Sequence, residues 1–158
     1  MHSACPDTAS LLQACDDVLG RARRTVDVLA PDLDPLLLDR APTLDALARL
    51  TRGSRFTRIR VLFYDSSRAI RAGHRLIHLA RRFPSYIQLR RAAPDHREEN
   101  CAWLAVDGSH LLWRPDHTLA AEGHVFTEEA GQARKVLRGF DHWWQYSESE
   151  PALRELHL

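Results

Sequence analysis

Residues 100–115 read NCAWLAVDGSHLLWRP: two short apolar runs, Asn100–Val106 and Ser109–Trp113, meeting at Asp107-Gly108. An Asp-Gly pair between two such runs is a strong hairpin signal, because a two-residue turn needs positive φ at both central positions. The pair of strands it joins is antiparallel. The chain before it decides whether the sheet is purely antiparallel or mixed.

Upstream, strands alternate with helices. Thr25–Ala30 is an apolar run stopped by Pro31, Arg58–Tyr64 is a longer one, and Tyr86–Arg90 a third of alternating character. Before the first, Leu11, Leu12, Cys15, Val18, Leu19 and Ala22 recur at helical spacing behind Asp7 and Thr8, either of which suits a cap. Between the first two, Asp32–Pro42 reads as a loop with a short extended piece at Leu36–Leu38, and Thr43 opens a helix closed by Gly53. Asp65-Ser66-Ser67 then caps one long helix running to Phe83, where Pro84 ends it. After the hairpin come a further strand near Val125 and a helix from Thr127, with Glu128 and Glu129 in its first turn. Its stripe is Ala130, Ala133, Leu137, Phe140 and Trp144. The order predicts one α/β domain over residues 1–158, a mixed sheet flanked by helices. Its core covers about 8–147, and a polar tail follows over 148–158.

Composition bounds the chemistry. No apolar run approaches the ~20 residues that span a bilayer, and the first ten residues lack the blocks of a secretory signal. Cys5, Cys15 and Cys101 are odd in number and scattered, which argues against a disulfide framework and a structural zinc site. The expected setting is therefore reducing and cytoplasmic. No P-loop, Gly-x-Ser-x-Gly elbow or dinucleotide fingerprint occurs, so no cofactor and no metal are expected.

Charge is distributed unevenly. The chain carries a net +1, yet residues 49–97 hold thirteen arginines against Asp65 and Asp95, a net +11 within acidic flanks of −4 and −6. Such a block is an electrostatic footprint for a polyanion, or a middle neutralised by its own flanks. On one long helix, Arg68, Arg71, Arg75, His78 and Arg82 fall at steps of three or four and share a stripe. That stripe spans about 20 Å. Ser66 and Ser67 sit where a strand's carboxyl end feeds a helix, the usual ligand position of open α/β sheets. The turn reads either as an anion pocket with Arg68 and Arg71 or as simple capping by Asp65 or Ser66. The stripe likewise reads as a binding face or a solvated one.

The element order and the strand Asn100–Gly108, followed by Leu111-Leu-Trp-Arg-Pro115, resemble one module of the phospholipase D superfamily. In that family the strand holds His-x-Lys-x-x-x-x-Asp and the next ends in Gly-Ser. The histidine is the nucleophile on phosphorus, the lysine binds phosphate and the aspartate supports the site. Position by position, Asp107 matches the aspartate, Asn100 replaces the histidine, Ala102 the lysine, and Arg114-Pro115 the Gly-Ser. An amide cannot form a phosphohistidine and a methyl cannot neutralise phosphate. The chain also resembles an uncharacterised bacterial domain found alone or behind a GNAT-type acetyltransferase. Trp143, Trp144 and the end Arg154-Glu155-Leu156-His157-Leu158 carry that likeness; no acetyl-CoA loop occurs.

Together these features imply a non-catalytic phospholipase D-like domain that binds a nucleic acid or another phosphate-bearing ligand through its arginine-rich helix. A regulatory module docking on a protein or on a second copy is the alternative. A phosphodiesterase with a relocated nucleophile, His96 or His110, is the third. His74 and His78, four apart, read as surface residues, and so do His110, His117 and His124. Trp103 and Trp144 read as core, while Trp113 and Trp143 suit core or interface.

Overall fold

The structure, a computed structural model, describes residues 1–154, with Arg154 described in its backbone alone. Eight strands form one sheet: β1 (His2–Cys5), β2 (Thr25–Leu29), β3 (Arg58–Phe63), β4 (Ile87–Arg91), β5 (Ala102–Val106), β6 (His110–Arg114), β7 (Gly123–Phe126) and β8 (Glu148–Ser149). Their spatial order is β1-β7-β6-β5-β2-β3-β4-β8. β2, β3 and β4 run parallel, and every other pairing is antiparallel. The sheet is mixed, as the hairpin placed after helix–strand alternation requires. At the hairpin turn Asp107 has φ 54° and Gly108 φ 66°, the pair of left-handed residues that an Asp-Gly turn supplies.

Among the described residues seven α-helices flank it: α1 (Thr8–Gly20), α2 (Pro35–Leu38), α3 (Ala41–Gly53), α4 (Ser67–Ala72), α5 (Arg75–Arg82), α6 (Ala130–Gln145) and α7 (Pro151–Arg154). The strand alternation sorts the two faces. Val26, Val28, Ile59, Val61, Leu104 and Leu112 pack against α1, α3 and α5. Leu29, Leu62, Trp103, Ala105 and Leu111 pack against Phe140 of α6. Trp103 is 4% exposed. Trp113, Trp143 and Trp144 pack half-buried on the same cluster.

Several expectations are corrected. The single helix to Phe83 is two helices, broken at Gly73, whose φ of 67° places it in the left-handed region. The Gly73 N–H donates to the carbonyls of Ala69 and Ile70, and the His74 N–H donates to Ala69, closing α4 as a left-handed cap does. His74, 1% exposed, then starts α5: its Nδ1 accepts from the Leu76 N–H and its Nε2 donates to the Leu33 carbonyl at 2.9 Å. His74 is thus a core residue, not a surface one. Leu36–Leu38 is helical, and the last long helix starts at Ala130, not Thr127. β1 was not expected. The polar tail contributes β8 to the sheet edge, and Leu153 of α7 enters the core at 5% exposure. The end Glu155–Leu158 lies outside the described residues.

Candidate anion-binding site

The carboxyl ends of β2, β3 and β4 define one edge of the sheet. Because β5 runs against β2, the start of β5 and the end of β6 lie on this edge too. It therefore gathers Ala30–Asp34, Tyr64–Ser67, Asn100, Ala102 and Arg114. Asp107 lies at the opposite edge. Its carboxylate accepts from the backbone N–H groups of Arg23, Arg24 and Thr25, each at 2.9 Å, which ties the hairpin turn to the start of β2.

Ala102 pairs with Arg114 across the hairpin, so both side chains leave the same face. The methyl at Ala102 leaves room for the Arg114 side chain to turn inward. Arg114 is 1% exposed, and its Nη1 lies 2.6 Å from both carboxylate oxygens of Asp34. Nη2 donates to the carbonyls of His117 and Leu119. Leu33 and Asp34 carry φ of 65° and 35°, a costly backbone for side chains with a Cβ, and Asp34 is only 4% exposed. Asp34, Arg114 and Ala102 line a cavity of about 10 Å³ with Leu37, Leu38 and Leu104, room for at most about one water. At the rim, Asn100 Nδ2 donates to Asp116 at 3.2 Å and His117 lies 3.6 Å from Asp32. The space between the start of β5 and the end of β6 is thus closed by an internal ion pair. In sequence, Arg114 stands as an arginine ending an apolar strand, at the place of the Gly-Ser in the resembled pattern, and its partner is 80 residues away.

The neighbouring turn is capped from within. Asp65 Oδ1 accepts the Ser67 N–H at 2.9 Å, and that bond holds the Asp65 carboxyl below its usual range. Ser66 is 5% exposed. Arg71 and Arg97 add their charge to the environment of Asp65.

The break at Gly73 divides the expected stripe. Arg68 and Arg71 leave α4 exposed and, among the described residues, have no carboxylate in salt-bridge range. Arg75 is held on α5, its Nε 2.9 Å from Asp39 Oδ1 and its Nη2 on the Asp39 carbonyl. His78 and Arg82 border a groove of about 810 Å³ between α5 and β4, shared with Arg81, Arg90, Leu89 and Leu153. The Arg82 guanidinium lies 5.4 Å from the Phe83 ring.

Other arginines of the basic block are used internally. Arg60, paired with Asp27 in the β2–β3 register, reaches Asp27 at 2.7 Å and Asp141 of α6 at 2.8 Å, beneath the rings of Phe140 and Trp144. Arg90 Nε donates to Ser147 Oγ at 2.7 Å, and Arg91 pairs with Glu148 and Glu150. The acidic flanks therefore neutralise part of the block. His96 and His110 lie on different elements. His110, at the far end of β6, accepts the Glu128 N–H on Nδ1 at 3.0 Å, and His96 packs with the rings of His142 and Tyr146. No group of three metal-ligating side chains occurs among the described residues, and no described helix is long and apolar enough to cross a membrane.

Solved structures share this architecture. NucT from Helicobacter pylori matches with a TM-score of 0.67 at 10% identity, over 95% of this chain and 99% of its own. Nuc from Salmonella typhimurium, a phospholipase D family member, matches with 0.63 at 14%, over 95% and 99%. TrmBL2, an archaeal chromatin protein with a novel mode of DNA binding, matches with 0.63 at 11%; the match covers 94% of this chain but about half, 54%, of that one. No curated protein matches in sequence. Residues 7–156 match the family described as a domain of unknown function (DUF7931), and the chain belongs to that family, with the fold of the phospholipase D family member Nuc.

Proposed function

We propose that the protein is a non-catalytic phospholipase D-like domain that holds a nucleic acid through the surface of α4 and α5. One observation carries this reading: among the described residues Arg68 and Arg71 have no carboxylate in salt-bridge range, beside the edge where Arg114 and Asp34 are paired. Arg60, Arg75, Arg90 and Arg91 are held by ion pairs or hydrogen bonds, whereas Arg71 only adds its charge to the environment of Asp65. Asn100 and Ala102 supply neither a nucleophile nor a phosphate cation, so the edge holds an anion without cleaving it. His78 and Arg82, on the groove beyond Gly73, extend the basic surface. Ser66, Ser67 and Arg75 frame it, but Ser66 is buried, and Asp65 and Asp39 already engage Ser67 and Arg75.

Contacts of this kind go to phosphate and are independent of base sequence. Binding to duplex DNA, followed by fluorescence anisotropy, should weaken by an order of magnitude or more between about 50 and 200 mM salt. The double reversal Arg68→Glu/Arg71→Glu should remove it while the unfolding midpoint stays in place. Affinity unchanged by salt and by the reversal would overturn this reading in favour of a protein-docking module.

A further inference from the structure

A second cationic surface lies at the amino edge of the parallel strands, the end of the sheet away from Ala102. α1 ends there with Arg21, and Arg23 and Arg24 lead into β2. α3 ends there with Arg52, and Arg55 and Arg58 lead into β3. The starts of the two strands are joined directly, the Arg58 N–H donating to the Arg24 carbonyl at 2.9 Å. Six arginines thus converge on one corner. Among the described residues only Arg58 has a carboxylate in range, Asp27 at 3.7 Å, and that carboxylate is already engaged by Arg60. The acids nearest in sequence form no salt bridge with the others: Asp17 accepts from Gln13, and Asp107 accepts from three backbone N–H groups.

At the centre of this corner stands Phe56, 58% exposed. Its outward position is built in. The Phe56 N–H donates to Ser54 Oγ at 3.1 Å, and Thr57, 5% exposed, anchors its hydroxyl on the Leu50 carbonyl at 2.8 Å. With Thr57 pinned inward and Arg58 starting the strand, the intervening ring is held out. The guanidinium carbons of Arg24 and Arg55 lie 5.3 and 4.8 Å from its centroid. An exposed aromatic ring among unpaired arginines pairs a surface for stacking bases with cations for the phosphates between them.

The geometry points to a single-stranded nucleic acid as the ligand of this corner, with a base on Phe56 and phosphates on Arg23, Arg24, Arg52 and Arg55. A duplex keeps its bases stacked inside and leaves the ring nothing to do. This surface is separate from α4 and α5, and either stands if the other fails.

The test uses the full chain and two labelled probes, a thymidylate dodecamer and its duplex with the adenylate dodecamer. Phe56→Ala should weaken the single strand by between about fivefold and about a hundredfold, the range of one lost stacking contact, and leave the duplex unchanged. Arg24→Glu/Arg55→Glu should weaken the single strand at least as much as Phe56→Ala does, and weaken the duplex less. Because these side chains are exposed, circular dichroism should report an unchanged fold; Arg23→Glu/Arg52→Glu, which spares the ring, gives a second reading of the same loss. Single-strand affinity unaltered by Phe56→Ala, or lost only on Arg68→Glu/Arg71→Glu, would overturn the inference.

Discussion

Arg114 Nη1 lies 2.6 Å from both oxygens of the Asp34 carboxylate, and the two side chains are 1% and 6% exposed. A pair this dry has lost most of its hydration, so removing one member leaves a charge with neither water nor partner. Asp34→Ala and Arg114→Ala should each cost about 3–5 kcal/mol, read by denaturant unfolding. The apolar double variant Asp34→Leu/Arg114→Met should recover most of that loss. A double variant that costs the sum of the two singles would mean that the pair carries no coupling.

Arg60 offers a contrast within one network. Its Nε serves Asp27, 3% exposed, and its Nη2 serves Asp141, 63% exposed. Water readily takes over a partner of Asp141 but not of Asp27. Arg60→Ala should therefore cost about 3–5 kcal/mol, whereas Asp141→Ala should cost less than about 1 kcal/mol. Thermal unfolding of both variants checks the asymmetry.

His74 sets a pH dependence. Burial pushes its pKa below the usual imidazole range, and its bond to the Leu33 carbonyl only partly offsets this. The folded state thus binds a proton less readily than the unfolded chain. The stabilising contribution is complete above an unfolded pKa of about 6.5 and is lost as pH falls through the lower folded value. Unfolding midpoints should drop between pH 7 and pH 5, and His74→Gln should flatten that part of the profile at the expense of stability at pH 7.

The six inner strands β2–β7, the hairpin and the mixed sheet were legible because each rests on local pattern: β-forming runs, an Asp-Gly turn and helix–strand alternation. The stripe on a single helix was not, and Gly73 explains why. A glycine inside a helical pattern is tolerated or terminating depending on its φ, and that φ is set by how the next residue packs, here the buried ring of His74. Arg114 and Asp34 escaped for another reason. Their pairing rests on a cross-strand register and on a left-handed loop at Leu33 and Asp34, neither of which has a local signature.

Gly73→Ala probes that boundary directly. An added Cβ meets nothing within 4 Å, so the cost is purely that of a side chain at φ 67°, about 1–2 kcal/mol. Gly73→Asn should cost less, since asparagine visits this region more readily. Equal costs for alanine and asparagine would show that packing, not backbone conformation, decides the site.

Introducing the phospholipase D-type residues should not create a reaction. In Asn100→His/Ala102→Lys the new ammonium would arrive opposite Arg114, on the same face, beside a cavity of about 10 Å³. Asp34 can balance one cation there, not two. The variant should lose about 3 kcal/mol or more of stability and remain inert toward bis(p-nitrophenyl) phosphate. Adding Arg114→Gly to the same variant removes the competing cation and frees Asp34 for the lysine, so stability should return in part. Turnover in the first variant at undiminished stability would mean that Arg114 does not block the centre, and the non-catalytic reading of this edge would fall with it.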